Sequence, residues 1–258
     1  MTRKCFLVED EDLDAEVVIL ADDVAHHLRK VLRLRPGDSI ELRDGRGNGW
    51  SAVISEMKGK GVRVAVGEKL GVCNESPLRL TLAMAFSRFD RMELALRQAT
   101  EMGVQRFIAF GAERSDYHLP GTQTERRKER WQKIMREALC QCGRTKLPEI
   151  FILEGASEFM ARAASWEAAE GKALKILARE EADRQSLFTL FEMHPACRQM
   201  LVVVGPEGGW SKGEAEQFVG AGFYSIHLGP RTLRLETAAV ALLVAAQLLW
   251  GDLGKKFG

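Results

Sequence analysis

The segment Leu201-Val202-Val203-Val204-Gly205-Pro206-Glu207-Gly208-Gly209-Trp210-Ser211 decides the fold. Its continuous apolar run shows no alternation, so a strand here is covered on both faces, as in a parallel sheet. The glycine-rich turn ends at Ser211, three residues before Glu214, which is the spacing of a capping box at a helix start. A strand running through such a turn into a helix leaves backbone N–H groups at the carboxyl edge of the sheet, where α/β proteins bind ligands. It is not a phosphate-gripping loop of the usual kinds. Gly-Lys-Ser/Thr is missing, and the glycine spacing does not fit the dinucleotide fingerprint. Taken alone, the turn reads equally well as purely structural.

A second segment repeats the arrangement: Ser225-Ile226-His227-Leu228-Gly229-Pro230-Arg231-Thr232-Leu233-Arg234-Leu235-Glu236-Thr237. Again a strand ends in Gly-Pro and a helix follows. Arg231, Arg234 and Glu236 are polar groups beside a very apolar helix. Glu236 also suits a helix N-terminus through the macrodipole, and the arginines could be solvated.

Working outward, the stretch up to about Gly71 is mostly β. Strands are predicted over Cys5–Val8, Glu16–Leu20, Ser39–Arg43, Trp50–Met57 and Gly61–Val66, with a helix after the second, capped by Asp22 or Asp23. Short strands joined by tight turns suggest a small barrel. Gly67 to Pro77 marks a boundary, dividing residues 1–71 from 72–258. Beyond it the rhythm alternates: strands over Arg79–Ala85, Arg106–Phe110, Ala173–Ala178, Met200–Val204 and Tyr224–Leu228, helices over Asp90–Met102 and Thr124–Cys142. The second domain is therefore α/β with a mostly parallel sheet, and the residues alone suggest an open, doubly wound one.

The 258 residues carry a net charge of +1, with 46% hydrophobic and 28% charged side chains, so composition alone does not announce a nucleic-acid partner. Basic residues cluster at Arg29–Arg35, at Arg126–Arg136, and at Arg144 and Lys146. Five cysteines, with Cys140 and Cys142 as a C-x-C pair lacking a second pair or partnered histidines, point to free thiols and no metal. The N-terminus has no signal-peptide core. The longest apolar run, Ala238–Trp250, is too short to span a bilayer and contains Gln247. These features predict a cytoplasmic protein with no membrane association.

GPEGGWSKGE followed by LGPRTLRLETA resembles the signature of the RsmE family, the 16S rRNA uridine N3-methyltransferases of the SPOUT superfamily. Arg91–Val104 is similar to the family helix ending in an ELGV-type turn. Glu113-Arg114-Ser115, Trp131-Gln132-Lys133-Ile134 and Gln141-Cys142-Gly143-Arg144 with Pro148-Glu149-Ile150 also match. So does His26-His27-Leu28-Arg29-Lys30-Val31-Leu32-Arg33 with Gly37-Asp38, so the resemblance runs through nearly the whole chain in order. It implies a PUA-like β-barrel followed by a SPOUT-type trefoil-knotted α/β domain that binds S-adenosylmethionine and works as a homodimer. The implied substrate is one uridine of 16S rRNA in the small ribosomal subunit, the family's uracil-1498, methylated at N3. The chain departs from the family at Cys140, where Glu is frequent, at Arg97 for Lys, and at Trp210 for an aliphatic residue.

By analogy, the cofactor site forms from Leu177, Ala178, Gly205, Pro206, Glu207, Gly208, Gly209, Leu228, Gly229 and Leu233. Uridine N3 is a poor nucleophile while protonated, so the site must assist proton loss or stabilise the anion. Arg231 and Arg234 are expected to hold that anion or a neighbouring phosphate, with Glu236 assisting proton removal. For RNA, Arg29, Lys30 and Arg33 form one candidate face, Arg126 and Arg130 a second, and Arg144 a third position. Three other readings compete: a related SPOUT enzyme with another target, a cofactor-free RNA-binding factor, and a nicotinamide-dependent oxidoreductase. The intact glycine loops disfavour the second, and the missing fingerprint the third.

Overall fold

The computed structural model describes residues 4–8, 13, 15–20, 22–58, 61–71, 74–117, 119, 121–180 and 185–254. The side chains of the expected caps Asp22 and Asp23, and of His27 and Val31, lie outside the described set, as does Cys73. Two compact units form: Met1–Glu75 with Arg136–Leu147, and Ser76–Met135 with Pro148–Gly258.

In the first unit, β1 (Cys5–Leu7), β2 (Val17–Leu20), β3 (Ser39–Arg43), β4 (Gly49–Lys58) and β5 (Gly61–Lys69) make one curled sheet in the order β1-β3-β4-β5-β2. The β1–β3 pair is parallel and the other pairs are antiparallel. Burial alternates along β5: Val62 and Val64 are buried, and Leu42 and Ile54 join them in one core. Helix α1 (Asp22–His26) continues as a π-helical turn, His27–Val31, with Leu28 buried beneath it.

The unit is closed by a buried ion pair. Glu75 accepts from Arg144 Nη2 at 2.8 Å and Nε at 3.1 Å, and from the backbone N–H groups of Thr145 (2.8 Å) and Lys146 (2.9 Å). Arg43, also buried, donates to the Arg144 carbonyl and to Glu41. Burial of two charges is tolerated here because nearly every polar atom is paired.

The second unit is built on β6 (Arg79–Ala85), β7 (Arg106–Phe110), β8 (Glu149–Leu153), β9 (Leu174–Ala178), β10 (Gln199–Val204) and β11 (Tyr224–Ile226). Their order is β11-β9-β10-β6-β7-β8 and every pairing is parallel. Strand β10 shows why its sequence does not alternate. Leu201 and Val203 join Phe159 of α4 (Ala156–Glu170) and Phe218 of α6 (Lys212–Gly220) in one core. Met200, Val202 and Val204 are buried on the opposite side, which α7 (Leu235–Leu249) covers. Each such buried side chain is worth roughly 1.5–3 kcal/mol.

Helix α2 (Phe89–Glu101) packs against α7, and the chain turns after it at Gly103, whose φ of +82° suits only glycine at low cost. Helix α3 (Gly121–Cys142) buries Trp131, Ile134, Met135, Ala138 and Leu139, which recur at helical spacing along one face. Three elements were not anticipated: β8, α4 and α5 (Leu187–Met193). Among the described residues, no helix is long and apolar enough to cross a membrane.

Candidate active site

Strands β11, β9 and β10 are neighbours, so their carboxyl ends lie side by side. The loops after them enclose a cavity of about 400 Å³. Ala178 ends β9, and Arg179 and Glu180 follow it. Val204 ends β10, and Gly205, Pro206, Glu207 and Gly209 follow it. His227 through Arg234 follow β11, and Leu235 and Ala238 of α7 complete the wall with Arg91 of α2. The volume falls in the range of small-molecule pockets.

The β10 loop is anchored along its length. Gly209 N–H donates to the Pro206 carbonyl at 2.9 Å, closing a tight turn. Trp210 follows, its indole Nε1 donating to the Ala178 carbonyl at 3.0 Å. Its rings lie near-parallel to Phe110 and edge-on to Phe218, in the same core as β10. A Cβ at Gly205 would lie 2.9 Å from the Trp210 ring, so the glycine is required for this approach. The capping box forms in full: Ser211 Oγ accepts from Glu214 N, and Glu214 Oε2 accepts from Ser211 N, each at 3.1 Å. The other oxygen of buried Glu214 accepts from Glu113 N at 2.9 Å, tying the loop after β7 to the same helix start.

Of the expected cofactor residues, Ala178, Gly205, Pro206, Glu207, Gly209, Leu228, Gly229 and Leu233 line the cavity. Two do not. Leu177 points into the core with Phe159 and Val203 because strand side chains alternate, and Gly208 faces Arg114 instead. Arg231 and Arg234 line the cavity and are exposed. Glu236 stands in the first turn of α7, outside the lining, and its Oε2 is buried without a hydrogen-bond partner among the described residues.

Arg91 and His227 were missed as site residues. His227 lay inside an expected strand, Tyr224–Leu228, but β11 stops at Ile226 and frees it to turn into the cavity. Arg91 carries no local signal, since only the fold brings α2 beside the β10 loop. No group of three metal-ligating side chains occurs among the described residues.

The expected RNA residues divide. Lys30 and Arg126 are exposed, and Arg29 reaches the Gly61 carbonyl at 2.6 Å. Arg33 is exposed just beyond the π-helical turn, with φ +53°. Arg130 is held by Glu93, its Nη2 at 2.7 Å from Oε2. Arg144 requires correction: at 2% exposure, in its ion pair with Glu75, it is a structural residue and not a phosphate contact.

Comparison with known proteins settles the kinship. Residues 74–247 match the model of an RNA methyltransferase domain, and residues 20–67 that of an RNA methyltransferase PUA domain. The chain belongs to the RNA methyltransferase domain family, in its RsmE branch.

Family members of known structure share the whole fold. A ribosomal RNA small subunit methyltransferase E from Neisseria gonorrhoeae, bound to S-adenosyl methionine, is 31% identical with a TM-score of 0.85, covering 97% of this chain and 99% of its own. A methyltransferase from Legionella pneumophila, in complex with the same cofactor, is 28% identical with a TM-score of 0.87, covering 98% and 100%. The ribosomal RNA small subunit methyltransferase E of Bacillus subtilis is 27% identical over 95% of this chain and 97% of its own.

Proposed function

We propose that this protein is an S-adenosylmethionine-dependent methyltransferase that modifies N3 of one uridine in 16S rRNA of the small ribosomal subunit, the uracil-1498 of its family. The observation that carries this reading is the cavity at the joined ends of β9, β10 and β11, in a family whose members of 28% and 31% identity hold that cofactor. The residues present fit the group. Backbone from three loops surrounds the space, and Gly209 and Gly229 hold positive φ with open space for 4 Å around the point where a Cβ would stand.

When bound, the cofactor supplies an electrophilic methyl group for in-line displacement. The walls Val204, Leu228, Leu233 and Ala238 exclude water from that space. Arg231 and Arg234 offer guanidinium donors at its mouth for the uracil oxygens, whose charge grows as N3 loses its proton, or for a flanking phosphate. Glu236 stands one residue beyond the lining Leu235, and it assists proton removal in this reading by turning its Oε2, which has no partner among the described residues, toward the cavity.

Residues 1–71 serve RNA capture and 72–258 catalysis in this reading. Arg29, Lys30 and Arg33 supply phosphate contacts from the first, and Arg126 from the second. A homodimer is supported by α7, where Val240 and Val244 are half-buried and Leu248 is 57% exposed, one apolar stripe at helical spacing, and by α2, packed against α7, where Leu94 is exposed too. The trefoil knot belongs to the same reading, supported by the insertion of β10 between β6 and β9. We place the protein in the cytoplasm with the ribosome. Titration calorimetry tests the cofactor assignment: S-adenosylhomocysteine binds and a nicotinamide dinucleotide does not. The reverse result overturns it, and light scattering at twice the 28.8 kDa chain mass checks the dimer.

A further inference from the structure

The Glu207 carboxylate takes both of its side-chain hydrogen bonds on one oxygen. Oε1 accepts from the Ser87 hydroxyl and from Arg91 Nη1, the latter at 2.8 Å. Ser87 is fully buried, while the side chains of Arg91 and Glu207 keep 25% and 30% exposure and both residues line the cavity.

These partners flank one helix start. Ser87 follows β6, Arg88 is the N-cap of α2, and Arg91 lies in its first turn; Arg88 makes no capping bond through its side chain. A carboxylate anchored there is favoured by the helix dipole as well as by the guanidinium. The rest of the turn has little side-chain hold of its own, because Gly205, Gly208 and Gly209 have none to give. Trp210 fixes its far end on Ala178 and Arg114 Nη1 reaches the Gly208 carbonyl at 3.4 Å, so the Glu207 clasp is the tie on this loop made on the cavity side, where Glu207 and Arg91 both line the wall.

We propose that Ser87 and Arg91 are positioning residues for the cofactor site, acting through Glu207 to hold the 205–209 loop in its binding shape. The proposal rests on the reading of the cavity as an S-adenosylmethionine site. The alternative is that Arg91 grips an anionic part of the ligand directly. The two differ in coupling: a residue that acts through Glu207 has nothing to act on once Glu207 is truncated.

Calorimetry with S-adenosylhomocysteine on wild type, Arg91→Ala, Arg91→Lys, Glu207→Ala and the Arg91→Ala/Glu207→Ala double variant separates them. Arg91→Ala raises Kd about tenfold, Arg91→Lys raises it less than about threefold, and in the Glu207→Ala background Arg91→Ala changes it less than about twofold. Hydrogen exchange in ligand-free Arg91→Ala or Ser87→Ala quickens at the Gly209 amide while the β6 and β10 amides stay protected. Unchanged Kd and exchange in Arg91→Ala overturn the proposal, as does an equal Arg91 effect with and without Glu207; either leaves the cofactor reading standing. A wild-type protein that binds no S-adenosylhomocysteine overturns both.

Discussion

The indole of Trp210 donates to the carbonyl of Ala178 at 3.0 Å, joining the loop after β10 to the end of β9, two of the three loops that wall the cavity. Replacing that donor by Trp210→Phe keeps an aromatic ring against Phe110 and Phe218 but leaves the carbonyl without this partner. Chemical denaturation should show a loss of about 1–2 kcal/mol. Calorimetry should show weaker S-adenosylhomocysteine binding, because the loop that shapes the site loses its tie.

The burial of Arg144 makes a different claim about RNA. Arg144→Met leaves Glu75 charged and unpaired by its guanidinium, so stability should fall by about 3–5 kcal/mol. At temperatures where the variant is folded, the salt dependence of RNA binding should match wild type, whereas Lys30→Ala should lower the slope by about one.

Acid stability has a local origin at the turn Asp44-Gly45-Arg46-Gly47-Asn48. Burial pushes the Asp44 carboxyl upward, but hydrogen bonds from the Asn48 side chain and from the Asn48 and Arg46 backbone N–H groups outweigh it and hold it below the usual aspartate value. A lowered folded-state value means the stabilisation is present above the unfolded pKa, near 4, and is lost as pH falls through the lower folded one. Asp44→Asn should therefore be less stable than wild type at pH 7, and the gap should close as pH falls through the lowered folded-state value in urea titrations run across pH.

Glu236 provides a kinetic test. With its buried oxygen lacking a partner among the described residues, Glu236→Gln should slow methyl transfer by about 10²–10⁴-fold in single-turnover assays, with cofactor affinity little changed. Full activity in this variant would remove Glu236 from proton transfer.

Much of this architecture is legible in the residues. The unbroken apolar run of β10 announces a sheet covered on both faces, and Val62 and Val64 announce a sheet with one buried side. What is illegible has physical causes. Helix α4 buries only Phe159 and Ala163, so its pattern is faint, and β8 is a five-residue run whose identity depends on pairing with β7. In the site, backbone loops and glycines were readable because turns need them. Arg91 was not, because its role arises from a partner 116 positions away. Arg144 misled for the converse reason: a basic residue in a basic neighbourhood reads as a surface charge, and only Glu75 reveals it as buried.

The central claim is methyl transfer to one uridine of the small subunit. Small ribosomal subunits from cells lacking the enzyme, incubated with the protein and methyl-labelled S-adenosylmethionine, are digested to nucleosides for mass spectrometry. The account predicts labelled 3-methyluridine from a single site of 16S rRNA. Label in any other nucleoside, or none although the protein binds the cofactor, contradicts it.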